Sequence, residues 1–191
     1  LGNSTEIYSG SMNGPNVIIL HTTGGLTNFF AGAYAGASNV VEGEQNIGIG
    51  YEAANSLSTG DENTWIGYQA GKALTSAIGV VLMGYQAGDA ITTGDTNICF
   101  GGFSMDGGAG KTAYGCTHVG HAGQRTGTSG IMNSSFGIDS VKVLTTGTGN
   151  TGLGAGSGSA ITSGDSNTCI GRNAGNAITT GTDNICIGLD S

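Results

Sequence analysis

Short apolar pulses, set off by glycine and small polar residues, recur along this chain at a fixed interval. "NTWIGYQAGKALTSAIG" (Asn63–Gly79) is followed at once by "VVLMGYQAGDAITTGDT" (Val80–Thr96), seventeen residues answered by seventeen. Taking the Asn before each pulse as position 1, units begin near residues 46, 63, 80, 97, 116, 133, 150, 167 and 184, with a degenerate unit at 28. The unit that begins at 97 carries two extra residues, which predicts a loop insertion at about 102–115. Residues 1–27 do not follow the period and read as an N-terminal cap or joint, and residues 28–191 as one repeat domain.

Position 4 is apolar in every clear unit: Ile49, Ile66, Met83, Phe100, Val119, Phe136, Leu153, Ile170 and Ile187. Position 12 is apolar in most: Leu57, Leu74, Ile91, Leu144, Ile161 and Ile178. Position 5 is glycine throughout, from Gly50 to Gly188. Pulses of this length, rich in β-branched and aromatic residues and bounded by glycine, predict strands. Repeated units stack through strand pairing at about 4.8 Å per layer. The expected fold is therefore all-β: a β-solenoid or β-roll with coils of about 17 residues and columns 4 and 12 as its inner stripes. A triangular hexapeptide helix places inward residues every six positions, so the eight-and-nine spacing here favours a two-sided roll.

Alternate residues of a strand face opposite ways. With column 4 inside, column 3 faces out. It contains Trp65, Leu82, Cys99, Cys169 and Cys186, much of it apolar where water calls for polar side chains. Strands apolar on both faces are buried on both. Column 3 is thus the expected interface of a homo-oligomer, with a trimer or a head-to-tail filament as its forms. Recurrent Asn at position 1 suits a turn or an axial ladder of side-chain hydrogen bonds.

Composition narrows the function. Glycine is abundant, 39 of 191 residues, without the three-residue period or the proline of collagen. Five basic residues against a net charge of −8 leave no basic stripe for nucleic acid. No apolar run is long enough to insert in a membrane. The four cysteines lack metal-binding or redox spacing.

Candidate sites are few. Tyr51, Tyr68 and Tyr85 share position 6 and form an aromatic column that serves sugar binding, a structural ladder or a contact between chains. Insertions in a solenoid emerge as loops, so Phe103, Met105, Asp106 and Lys111 are the preferred recognition residues. "GGAGKT" inside that loop lacks the first glycine of a phosphate-binding loop, since Met105 stands there. His118 and His121 near Cys116 are too few for a metal centre within one chain. Asp61, Asp95 and Asp165 follow the "TG" corners, where turn chemistry competes with calcium binding. Cys169 and Cys186 stack within reach of a disulfide or as a free thiol pair. Two sequences match the glycosylation acceptor pattern, at Asn3 and Asn133. No nucleophile–base set assembles, so neither an enzyme nor a cofactor or metal is expected.

"NTWIGYQAG", "VVLMGYQAG" with "ITTGDTN", and "NTCIGRNAG" with "ITTGTDN" resemble the glycine-rich repeats of bacteriophage tail fibres, often found upstream of a self-cleaving intramolecular chaperone domain. They are also similar to the head repeats of trimeric autotransporter adhesins. The resemblance covers about residues 46–188 and departs at 1–27, in the insertion and at 116–132. It implies a homotrimeric β-roll outside the cell, on a virion or cell surface, acting in adhesion to a glycan or receptor or as a rigid shaft. A self-assembling extracellular filament is the competing reading. An ice-binding solenoid using Thr92, Thr93, Thr179 and Thr180 ranks below both.

Overall fold

The computed structural model describes residues 7–9, 18–21, 27–38, 43–106, 112–124 and 129–191. Among the described residues twelve strands form one sheet in chain order: β1 (Ile7–Ser9), β2 (Ile18–His21), β3 (Phe29–Ala31), β4 (Ile47–Ile49), β5 (Thr64–Ile66), β6 (Val81–Met83), β7 (Ile98–Phe100), β8 (Thr117–Val119), β9 (Ser134–Phe136), β10 (Thr151–Leu153), β11 (Thr168–Ile170) and β12 (Ile185–Ile187). Strands β3 to β12 pair parallel and in register, so each position of a coil stands on the same position of the next. β1 and β2 pair antiparallel, and β2 pairs antiparallel with β3, so β2 occupies the outer edge of the parallel stack. The fold is a parallel β-solenoid with coils of about 17 residues, and no described residue is helical.

Only positions 2–4 of each coil form strand. The pulse at position 12, expected to be a second strand, gives isolated parallel bridges nearby instead: Asp61↔Ile78, Ser76↔Thr93 and Tyr114↔Ile131. Backbone bonds still run from coil to coil around the turn, as in Gln69 N–H to Tyr51 O (2.8 Å), Gly71 N–H to Ala87 O (2.9 Å) and Thr75 N–H to Thr92 O (3.0 Å). The return side escapes strand geometry because positions 7, 9 and 17 sit in the left-handed region. Gln69 (φ 55°), Ala54 (φ 52°) and Glu62 (φ 59°) are examples. The chain is therefore a one-sheet solenoid, not a two-sheet roll.

The inside and outside of the strand are the reverse of the sequence expectation. Column 3 points inward: Trp65, Leu82, Cys99 and Cys169 are fully buried, and Cys186 is half-buried against them. Column 4 points outward: Ile49, Phe100, Val119, Phe136, Leu153 and Ile187 are exposed, and Ile66, Met83 and Ile170 are half-buried. Of the expected core columns, only column 12 is inside. Leu57, Leu74, Ile91, Leu144 and Ile161 are buried, and Ile178 packs partly against them.

The inner column misleads because its volume is shared with position 9. A large residue at 3 faces glycine at 9, as in Phe30/Gly36, Trp65/Gly71 and Leu82/Gly88. A Cβ on Gly36 would stand 2.7 Å from the Phe30 ring, and one on Gly88 2.7 Å from Leu82. A small residue at 3 faces a larger one at 9, as in Cys99/Met105 and Ser135/Val141, with Met105 and Val141 fully buried. These coils fill the same cross-section with different pairs, while at Gly152/Gly158 the space is taken by Ser140, Val141 and Ser157, keeping the interior close-packed.

The buried Asn at position 1 holds the corner. Asn63 Nδ2 donates to Asn46 Oδ1 (3.0 Å) and to Ala77 O (2.7 Å), while its Oδ1 accepts the Val80 N–H (2.8 Å). The pattern recurs at Asn46, Asn150 and Asn167. Where Cys116 replaces Asn, its backbone N–H still bonds Asn97 Oδ1 (3.1 Å) and its thiol donates to Gly130 O (3.4 Å).

Candidate functional site

The outward side of the strand is one surface. Columns 2 and 4 bear no charged residue from β3 to β12. Exposed Phe29, Ile47 and Ile185 of column 2 stand beside Ile49, Phe100 and Leu153 of column 4. Glycine at position 5 ends each strand with φ of 125–141° from Gly50 onward, a conformation foreign to L side chains. A Cβ at Gly67 would also run into the carbonyl of Gly84 in the next coil. That sharp exit delivers position 6 to the same side.

A row of rings runs from Tyr34 to His121, with Tyr51, Tyr68, Tyr85 and His121 at position 6 and Tyr34 and Phe103 at position 7. Tyr51 and Tyr68 stack at 5.4 Å between centroids, and Tyr68 and Tyr85 at 5.0 Å with planes 7° apart. Tyr34 meets Tyr51 edge-on at 5.8 Å, Phe103 meets Tyr85 at 5.2 Å and His121 meets Phe103 at 5.5 Å. Tyr51, Tyr68 and Tyr85 thus turn their faces to one another, and a sugar that stacks on a ring face finds none free there. Edges and hydroxyls are what these residues offer.

A polar ladder runs beside the rings. Gln86 Nε2 donates to Gln69 Oε1 (2.8 Å) and Gln69 Nε2 to Glu52 Oε2 (2.7 Å). Lys72 Nζ pairs with the same Glu52 oxygen at 2.6 Å. The Lys72 and Gln69 hydrogen bonds hold the Glu52 carboxyl below its usual range, and Glu52 in turn pushes Lys72 up. The Glu52 charge raises Tyr51.

The other predicted sites dissolve into structure. Residues 102–106 continue the coil, with Phe103 N–H bonded to Tyr85 O (2.9 Å) and Met105 N–H to Gly123 O (2.9 Å). Phe103 belongs to the ring column, Met105 is in the core and Asp106 is half-buried. Register is regained by Gly115 N–H to Asp95 O (3.1 Å). Lys111 lies outside the described residues.

Asp61, Asp95 and Asp165 each accept a backbone N–H of the preceding coil, from Glu44 (2.7 Å), Ile78 (2.9 Å) and Thr148 (2.7 Å). His118 is buried, its Nε2 donating to Gln124 Oε1 (2.6 Å) and its Nδ1 against Ser135 Oγ, while His121 is exposed in the ring column. Among the described residues no group of three His, Cys, Asp or Glu is placed to hold a metal ion. Asn133 is buried in the corner ladder and closed to glycosylation. Asn3 lies outside the described residues. Of the threonines named for an ice-binding face, Thr92 and Thr179 accept through their carbonyls, from the N–H and hydroxyl of Thr75 and of Thr162 in the preceding coil.

Cys169 and Cys186 are free, paired across β11 and β12. Burial, and then its neighbour Cys186, push the Cys169 thiol up to about 11. Sequence reasoning missed the outward face of columns 2 and 4 as the distinctive surface. Its signal was present: column 4 is uniformly apolar, whereas column 3 ranges from glycine to tryptophan.

No described helix is long and apolar enough to cross a membrane. No protein-family model, curated protein or solved structure matches the chain.

Proposed function

We propose that this chain is a non-enzymatic rod segment of an extracellular fibre or surface adhesin, working as a homotrimer on a virion or cell surface. The carrying observation is the in-register stack of ten parallel strands, about nine coils, bonded from coil to coil by backbone and by buried asparagine. Such a stack supplies stiffness and reach: ten layers at about 4.8 Å extend roughly 45 Å. Asp61, Asp95, Asp165 and the position 1 asparagines serve coil-to-coil bonding, which favours a mechanical role.

Light scattering over a range of concentrations, with negative-stain images, tests the reading. A fixed mass three times 18.8 kDa is expected. A mass that grows with concentration into threads would replace the trimer with a head-to-tail filament. A constant 18.8 kDa would overturn the oligomeric rod.

A further inference from the structure

The geometry points to the outward strand face, columns 2 and 4 with the column 6 ring row, as the surface on which further copies of this same chain dock. This rests on the oligomeric rod reading above and says which side of the coil makes it. Side chains of Ile49, Phe100, Val119, Phe136 and Leu153 remain 37–49 % exposed on a sheet face that contains no charge. Isolated exposed apolar residues are ordinary, but a contiguous patch of more than a few hundred Å² marks an interface.

Ten strands at about 4.8 Å, and about 13 Å from position 2 to position 6, give roughly 600 Å² per copy. Two such faces together bury about 1,200 Å², the lower bound of a specific protein–protein interface. The match in period selects the partner. A second copy repeats the same axial rise, so its columns fit between these along the whole length, whereas a globular partner meets only a few coils. An anionic bilayer is disfavoured by the net charge of −8. Exposed Arg172, at position 6 near the C-terminal end, is the charged residue inside this area, while the Glu52–Lys72 pair and the Asp61, Asp95 and Asp165 corners lie off columns 2 and 4.

The test places a charge in the middle of the face. Ile66→Glu and Phe136→Glu are compared with Met132→Glu, an exposed apolar residue at position 17, off the strand face. Mass is read by light scattering and folding by circular dichroism. The expected result is a fall to 18.8 kDa for the two face variants, with the β signature kept, and unchanged mass for Met132→Glu. Face variants that stay assembled while the wild type is an oligomer would overturn this assignment and leave the rod reading intact. A wild type that is itself a monomer would instead overturn the rod's oligomeric state. Phe136→Thr, which keeps a strand-forming residue, covers the case in which a charge unfolds the coil. Its mass must then fall, or the assignment fails.

Discussion

At Gly67 two demands meet at one atom. Its φ of 137° excludes an L side chain, and a Cβ there would enter the carbonyl of the next coil. Gly67→Ala is expected to destabilise by at least about 2 kcal/mol in urea unfolding. At Gly79, with φ 67° and its nearest neighbour 3.8 Å from a Cβ, the same change should cost only about 1 kcal/mol. Trp65 and Gly71 test the shared cross-section. Trp65→Leu and Gly71→Ala should each destabilise. The double variant should recover part of the loss, a coupling on the order of 0.5–3 kcal/mol in a double-mutant cycle. The Cys169 thiol sets an alkaline limit. Unfolded chains lose this proton near the usual thiol range of about 8.5, but the folded coil holds it to about 11. The folded state binds more protons in between, so stability falls as pH rises through that window. The thermal midpoint of Cys169→Ala should vary less with pH there than that of the wild type.

At the scale of the element, strand and corner differ in what holds them. Buried Asn150 accepts the Asn167 N–H (3.0 Å) and donates to Gly164 O (2.8 Å). Asn150→Ala strands those partners and should cost about 2–4 kcal/mol in chemical denaturation. Asn150→Cys should cost less, since Cys116 already does this work one coil-type away. The strands, the glycine at position 5 and the asparagine corner were legible in the sequence because each recurs in most coils, with Asn giving way at Val80 and Cys116. Which face of the strand lies inside was not. Gly48, Trp65, Leu82, Cys99, His118 and Ser135 follow one another in a single buried column, and no hydropathy pattern marks such a series as a core. The compensation at position 9 is the missing signal: glycine after Trp65 and Leu82, Met105 after Cys99, Val141 after Ser135. The second expected strand failed for a different reason. Left-handed residues such as Gln69, Gln86 and Glu62 sit at ordinary-looking positions, and only stacking keeps them there.

At the scale of the whole molecule, each coil bonds to the one before and the one after and to nothing further along the chain. Stability is then a sum over neighbouring layers. Deleting Asn63–Gly79, one full coil, should leave a folded and shorter rod by circular dichroism and electron microscopy. Deleting eight residues from the same stretch should abolish the cooperative transition, because inner and outer columns no longer meet. The unit that folds is also the unit that can be copied. Any gain or loss of sequence that respects the seventeen-residue frame yields a protein that still closes. Length in such a molecule is a heritable count, free to change by one without redesign of anything else.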